Sequence, residues 1–204
     1  SGKALPEWFT YPEIEEELKK SIPRKINRGI TIFFTGLSGS GKSTLANALL
    51  IKFLEEGTRP VTLLDGDLVR QHLSSELGFS KEHRSTNVKR IGYVASEITK
   101  NRGIAICAPI APYESDRNFN KSLISQYGGY IEVFVSTPLK ICEQRDSKGL
   151  YALARKGVIK EFTGISDPYE KPENPDIIID SSTEDPGILI EQIINKIKSL
   201  GYMK

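Results

Sequence analysis

Gly36-Leu37-Ser38-Gly39-Ser40-Gly41-Lys42-Ser43, followed by Thr44, carries the spacing G-x-x-x-x-G-K-[ST]. Glycines so placed let backbone N–H groups curl around phosphate oxygens, and a helix opening at the loop's end adds partial positive charge. Lys42 would reach the β- and γ-phosphates of a nucleoside triphosphate, and the Ser43 hydroxyl would ligate Mg²⁺. The loop by itself is compatible with a kinase, a GTPase or an ATP-driven switch. No Asn-Lys-x-Asp segment follows in the second half to read guanine, and 204 residues leave little room for the added parts of a motor.

Asp65-Gly66-Asp67 is a second candidate cluster. Gly66 permits a tight turn that sets two carboxylates toward the phosphate loop. One could orient a Mg²⁺-bound water, and the other could accept a proton from an attacking hydroxyl. Arg70, one helical turn after Asp67, could clamp an anion. Asp67 also suits a helix N-cap, a role compatible with catalysis.

The elements that must position these residues alternate. Ile30 to Thr35 is an apolar, β-branched and aromatic run that predicts a strand, and Ser43 to Glu56 has helical spacing of Leu45, Leu49, Leu50, Phe53 and Leu54. Further strands are expected at Val61 to Leu64, Ile104 to Ala108, Ile131 to Val135 and Ile177 to Ile179. Helices are expected at about Leu68 to Leu77, at Ser85 to Asn101, in short pieces after the third and fourth strands, and through Ile190, Ile193, Ile194, Ile197 and Leu200 at the end. Strands separated by helices imply an α/β fold, a five-stranded parallel sheet with helices on both faces. Ligands of such sheets bind at the carboxyl ends of the strands.

Composition bounds the function without naming it. Lys plus Arg number 28 and Asp plus Glu 26, so the net charge of +2 argues against a partner such as duplex nucleic acid. No apolar run approaches a membrane span, and no signal peptide opens the sequence. Cys107 and Cys142 make neither a disulfide framework nor a metal spacing and fit a reducing, cytoplasmic setting. His72 and His83 show no metal-ligand pattern.

Several segments then converge on one family. They are the phosphate loop; Leu64-Asp65-Gly66-Asp67 with Val69-Arg70; Leu77-Gly78-Phe79-Ser80; Arg84, Asn87 and Arg90-Ile91-Gly92; and Pro112-Tyr113 with Asp116-Arg117. Cys142-Glu143-Gln144-Arg145-Asp146, Lys148-Gly149-Leu150-Tyr151, Phe162-Thr163-Gly164-Ile165 and Asp167-Pro168-Tyr169-Glu170 complete the set. Over roughly residues 25 to 200 the chain resembles the adenylylsulfate (APS) kinases. That resemblance implies a P-loop kinase moving the γ-phosphate of ATP, with Mg²⁺, to the 3′-hydroxyl of adenosine 5′-phosphosulfate. Asp67 would orient or deprotonate that hydroxyl, with Lys42 and Lys148 at the transferring phosphate and Asp65 beside the metal.

Phe79 and Phe162 would stack the adenine of APS, and Arg70, Arg84 and Asn87 would hold its phosphosulfate, where an arginine fork suits oxyanions. Ile110 and Ala111 belong to a loop facing the acceptor, and Arg145 would pack on the ATP adenine. The segment from about 147 to 170, rich in Lys, Gly and Pro, would form a lid that brings in Lys148 and excludes water. Residues 1–24, with Leu5-Pro6-Glu7-Trp8-Phe9-Thr10-Tyr11-Pro12-Glu13 and a helix candidate from Glu13 to Lys20, resemble the junction of fused ATP sulfurylase–APS kinase proteins. The kinase domain is then 25–204, expected as a homodimer and as part of such a fusion.

Four positions depart from the family pattern. Leu68 replaces Asn, His83 replaces Asp, Ala111 replaces Ser and Glu161 replaces Gly. All lie on the acceptor side. They keep open a kinase for another nucleotide acceptor, or a nucleotide-sensing regulatory domain of a fused sulfurylase.

Overall fold

The computed structural model describes Tyr11, Ile14, residues 24–57 and residues 59–204. The helix expected over 13–20 lies, Ile14 apart, outside the described residues. The central strand β1, Ile30–Thr35, is buried along its whole length. Its side chains alternate between two cores. Ile30, Ile32 and Phe34 point into one, and Phe33 points into the other.

Around β1 stand β2 (Val61–Asp65), β3 (Ile104–Ala108), β4 (Gly129–Val135) and β5 (Ile177–Ile179). The order is β2-β3-β1-β4-β5, and every pairing is parallel. The chain leaves β1 toward β2 on one side and later crosses to β4 on the other. The carboxyl end of β1 is therefore flanked by connections running in opposite directions, which opens a crevice there. Across it the Gly36 N–H donates to the Ile110 carbonyl at 3.2 Å.

On one face pack α1 (Lys42–Glu56) and α7 (Pro186–Ser199), with Leu45, Leu49 and Phe53 meeting Ile190, Ile193 and Ile197. On the other face lie α2 (Gly66–His72), α3 (Lys81–Lys100) and α4 (Glu114–Ile124), through Val69, Val88, Ile91, Ala95 and Ile124. The short helices α5 (Leu139–Arg145) and α6 (Leu150–Arg155) border the crevice. α3 and α4 approach closely because residue 92 is glycine. A Cβ there would lie 1.9 Å from Asn120 Oδ1.

Element boundaries differ from the sequence reading where caps decide them. α2 begins at Gly66, because the Asp65 carboxylate caps it by accepting the Asp67 N–H at 3.0 Å. The cap is thus Asp65 rather than Asp67, which leaves the Asp67 carboxylate free of that duty. α2 ends at His72, short of Leu77. Ser80 starts α3 four residues earlier than the apolar pattern suggests, its hydroxyl accepting the His83 N–H at 3.3 Å. Among the described residues no helix is long and apolar enough to cross a membrane.

Candidate active site

The phosphate loop leaves β1 through residues that only glycine accommodates well. Gly36 has φ +149° and a Cβ there would meet the Val135 carbonyl at 2.6 Å; Gly41 has φ +98° and a Cβ there would meet Ser181 Oγ at 2.7 Å. No side chain caps α1, so its first N–H groups face the crevice. Lys42 is buried, its ammonium donating to the Leu37 carbonyl at 2.7 Å and to Ser40 Oγ at 3.4 Å. Burial lowers its pKa to about 8, against the opposing pull of Asp65 and Asp67. An anion in the loop would favour the charged form and raise that pKa again.

At the foot of the loop Ser43 Oγ donates to Asp65 Oδ2 at 2.7 Å. A hydroxyl and a carboxylate side by side are hard oxygen donors. Mg²⁺ characteristically takes one or two such protein ligands and completes its shell with phosphate oxygens and water. The residues present fit that ion. Asp67, in the first turn of α2, forms an ion pair with Lys148 from the segment after α5.

The acceptor-side residues converge on the same space. Arg70 donates to the Leu77 and Gly78 carbonyls at 3.2 and 2.8 Å, and its guanidinium lies 4.6 Å from the centroid of the Phe79 ring. It thereby holds the loop that presents Phe79, which is 65% exposed and so is no core residue. His83, which sequence reasoning left without a role, accepts the Gly78 N–H on Nδ1 at 2.8 Å and steadies the same loop.

Arg84 is buried rather than on a solvated helix face. Its Nη1 donates to Thr163 Oγ1 at 2.6 Å and its Nη2 pairs with Asp167 at 3.0 Å. Tyr113 donates to the same Asp167 carboxylate at 2.8 Å. Arg84 Nε and Asn87 Oδ1 are buried with no hydrogen-bond partner among the described residues. Both residues line the cavity, and a polar ligand would relieve the cost of leaving such atoms unpaired.

The cavity is continuous and has a volume of about 860 Å³. Ser38, Lys42, Ser43 and Arg145 line one end; Arg70, Phe79, Arg84, Asn87 and Phe162 line the other. Asp65, Asp67, Lys148, Ile110 and Ala111 also border it. Of the sequence-predicted site residues only Gly36 and Ser40 do not line the cavity; the others are brought together around it. Arg145 lies by the loop, where its guanidinium bonds the Gly39 carbonyl at 3.3 Å and Ser181 Oγ and carbonyl at 2.7 and 2.8 Å.

Two of the departures stand in unusual backbone. Ala111 has φ +46° and Glu161 has φ +55°, the left-handed region where glycine is easiest. Glu161 is exposed and borders the cavity next to Phe162. Ala111 is buried, its carbonyl held by Arg117 at 2.8 Å and Thr35 at 3.2 Å.

Sequence reasoning assigned no role to Tyr151, Thr163, Asp167 or Ser181. Tyr151 is buried, donates to the Ser38 carbonyl at 2.9 Å and meets Phe162 edge-on at 5.0 Å. Ser181 Oγ donates to the Ser40 carbonyl at 2.7 Å. Tyr151, Thr163 and Asp167 lie within segments that carry the family resemblance, which was the available signal. Ser181 follows β5 and carried none.

Comparison with known proteins agrees with this geometry. A sulfate adenylyltransferase of Aspergillus terreus is 48% identical over 203 residues, covering 99% of the chain and 35% of that protein. The chain thus spans about a third of the length of such curated relatives. A structure described as a hexameric APS kinase from Thiobacillus denitrificans superposes with a TM-score of 0.80 at 47% identity, covering the whole chain and 35% of the other. An APS kinase from Mycobacterium tuberculosis, solved with AMPPNP and APS, matches at 38% identity and a TM-score of 0.80, over 84% of this chain and 98% of its own. Residues 28–180 match the family model for adenylylsulphate kinase. With a P-loop at one end of its cavity and an arginine-rich aromatic end opposite, the chain belongs to the adenylylsulphate kinase family.

Proposed function

We propose that the chain transfers the γ-phosphate of ATP to the 3′-hydroxyl of adenosine 5′-phosphosulfate. The observation that carries this reading is the single cavity joining the phosphate loop to the Phe79, Arg84 and Phe162 end, with Asp67 and Lys148 on its wall. The triphosphate lies along the loop, its β- and γ-oxygens on the α1 N–H groups and Lys42. Ser43 and Asp65 hold Mg²⁺, which when bound neutralises charge on the β- and γ-phosphates. Phe79 and Phe162 stack the acceptor's adenine, and Arg70, Arg84 and Asn87 hold its phosphosulfate.

Asp67 accepts the proton of the 3′-hydroxyl as its oxygen bonds to the γ-phosphorus. The bond from that phosphorus to the β–γ bridging oxygen breaks, and ADP leaves with the electron pair. Lys42 and Lys148 stabilise charge on the transferring group. Little covalent work falls to the protein; positioning and electrostatics carry the rate. The segment 147–170 serves as a lid, and the chain works as the kinase part, residues 25–204, of a longer protein with a sulfurylase. The names and lengths of the curated relatives support that context.

The test is ADP release with ATP-Mg²⁺ across acceptors: APS, adenosine 5′-monophosphate, other nucleoside monophosphates and water. A strong preference for APS is expected; equal rates would overturn the acceptor. A different nucleotide acceptor is the second reading, motivated by the departures Leu68, His83, Ala111 and Glu161 on the acceptor side, of which Glu161 borders the cavity beside Phe162. The same assay separates the two, and nucleotide binding without any ADP formation would point instead to a regulatory domain.

A further inference from the structure

Four consecutive carbonyls of the phosphate loop are held by side chains. Lys42 holds Leu37, Tyr151 holds Ser38, Arg145 holds Gly39, and Thr137 and Ser181 hold Ser40. Among these anchors Tyr151 also touches the acceptor end. Its hydroxyl donates to the Ser38 carbonyl at 2.9 Å, while its ring meets Phe162 at 5.0 Å with planes 78° apart. The edge-to-face arrangement sets the tilt as well as the distance of the second ring.

Tyr151 is itself firmly placed. The Asp146 carboxylate accepts the Tyr151 and Ala152 N–H groups, each at 3.0 Å, and so caps the first turn of α6. Asp146 directly follows Arg145, which is bonded to the loop. On its far side Phe162 is followed by Thr163, which receives the Arg84 hydrogen bond. Phe162 thus hangs between a tyrosine that senses the phosphate loop and an arginine that lines the acceptor end. Burial pushes the Tyr151 phenol's pKa up, so the hydroxyl stays a donor.

We propose that Tyr151 is a positioning residue that couples occupancy of the phosphate loop to the orientation of Phe162, so that a bound nucleoside triphosphate tightens the binding of the nucleotide acceptor. This deepens the reading of the site as an APS kinase and rests on it. A triphosphate in the loop draws Lys42 from the Leu37 carbonyl toward its own oxygens. The loop then depends more on its remaining anchors, and the one at Ser38 carries the change through a single rigid ring to Phe162. Coupling of this kind is reciprocal: acceptor binding tightens the triphosphate by the same factor.

The test measures APS dissociation constants by calorimetry, with and without saturating AMPPNP-Mg²⁺, in the intact chain and in Tyr151→Phe. The substitution keeps the ring edge and removes the hydroxyl. In the unaltered protein AMPPNP should tighten APS by about fivefold or more. In Tyr151→Phe that ratio should fall to within about twofold of unity, while AMPPNP affinity drops by no more than about tenfold, as expected for the loss of one neutral hydrogen bond. In turnover, KM for APS should rise while kcat at saturating APS holds.

A cooperative melt near that of the unaltered protein, with AMPPNP still bound, would show that Tyr151→Phe is folded. Tyr151→Leu, which removes ring edge and hydroxyl together, should lose the ratio as well. A ratio equal in the unaltered protein and Tyr151→Phe, or a ratio of unity in the unaltered protein, would overturn the coupling and leave the acceptor assignment standing. An unaltered protein that binds AMPPNP but no APS would overturn the acceptor assignment and the coupling with it.

Discussion

Lys148 and Asp67 are ion-paired across 81 residues of sequence, joining the first turn of α2 to the segment ahead of α6. The pair lies on the cavity wall, so the group read as the proton acceptor is held by the cation meant for the transferring phosphate. In the proposed reaction a γ-phosphate would compete for Lys148 and leave Asp67 free to meet a hydroxyl.

Asp67→Asn keeps the size of the side chain and removes its basicity. The expected loss is about 10²–10⁴ in kcat with little change in ATP affinity, the usual range for a general base. Steady-state ADP release with nucleotide binding measured in parallel checks this. A near-normal kcat would remove Asp67 from the chemistry.

The lowered pKa of Lys42 makes a signed pH prediction. The unfolded lysine titrates near 10.5 and the folded one near 8, so between these values the unfolded chain holds more protons. Stability of the ligand-free protein therefore rises with pH across that window. Thermal melts of the unaltered protein against Lys42→Met, which has no such proton, should diverge in favour of the former from about pH 8 upward. A bound triphosphate holds the ammonium charged, so AMPPNP affinity should fall by about tenfold per pH unit above about 8. Lys42→Met should bind weakly and without that slope.

Arg84 and Asp167 form a largely buried pair, with side chains 10% and 14% exposed. Arg84→Ala leaves the carboxylate without its cation, with the Tyr113 hydroxyl still donating to it, and should cost about 3 kcal/mol, as for removing one partner of a buried pair. Arg84→Lys should recover only part, because an ammonium cannot fork to both Thr163 and Asp167. Urea midpoints at unchanged slope measure this. A loss under about 0.5 kcal/mol would show that the pair contributes little to stability.

Glu161 holds a left-handed backbone with a side chain. Glu161→Gly should stabilise the fold by about 1 kcal/mol, since glycine occupies that region without the Cβ penalty. It also removes a carboxylate beside Phe162, so KM for APS should fall. Thermal melting and initial-rate kinetics of the single variant check both effects.

What the amino-acid sequence makes legible is what local rules encode. The run Ile30 to Thr35 reads as a strand because pleat and burial act residue by residue, and the loop from Gly36 to Ser43 reads as a phosphate cradle because all its parts are contiguous. The strand count, the parallel sheet and the helices on both faces follow from the same short periods. The resemblance brought in the scattered residues from Arg70 to Phe162, which no local period joins.

Caps escaped the sequence reading because they depend on where a helix starts to within one residue, and hydrophobic spacing does not resolve that. Asp65 therefore caps α2 in place of Asp67, and Ser80 lengthens α3. Burial of Arg84 and the links of Tyr151 to Ser38 and Ser181 to Ser40 were decided only by the tertiary structure. Their partners lie 79, 113 and 141 residues away, respectively. Hydrogen bonds and desolvation act over a few ångströms, so they answer to the strand order β2-β3-β1-β4-β5 and the crevice it opens. The amino-acid sequence determined which groups are available for phosphoryl transfer; the packing of the sheet decided which of them meet.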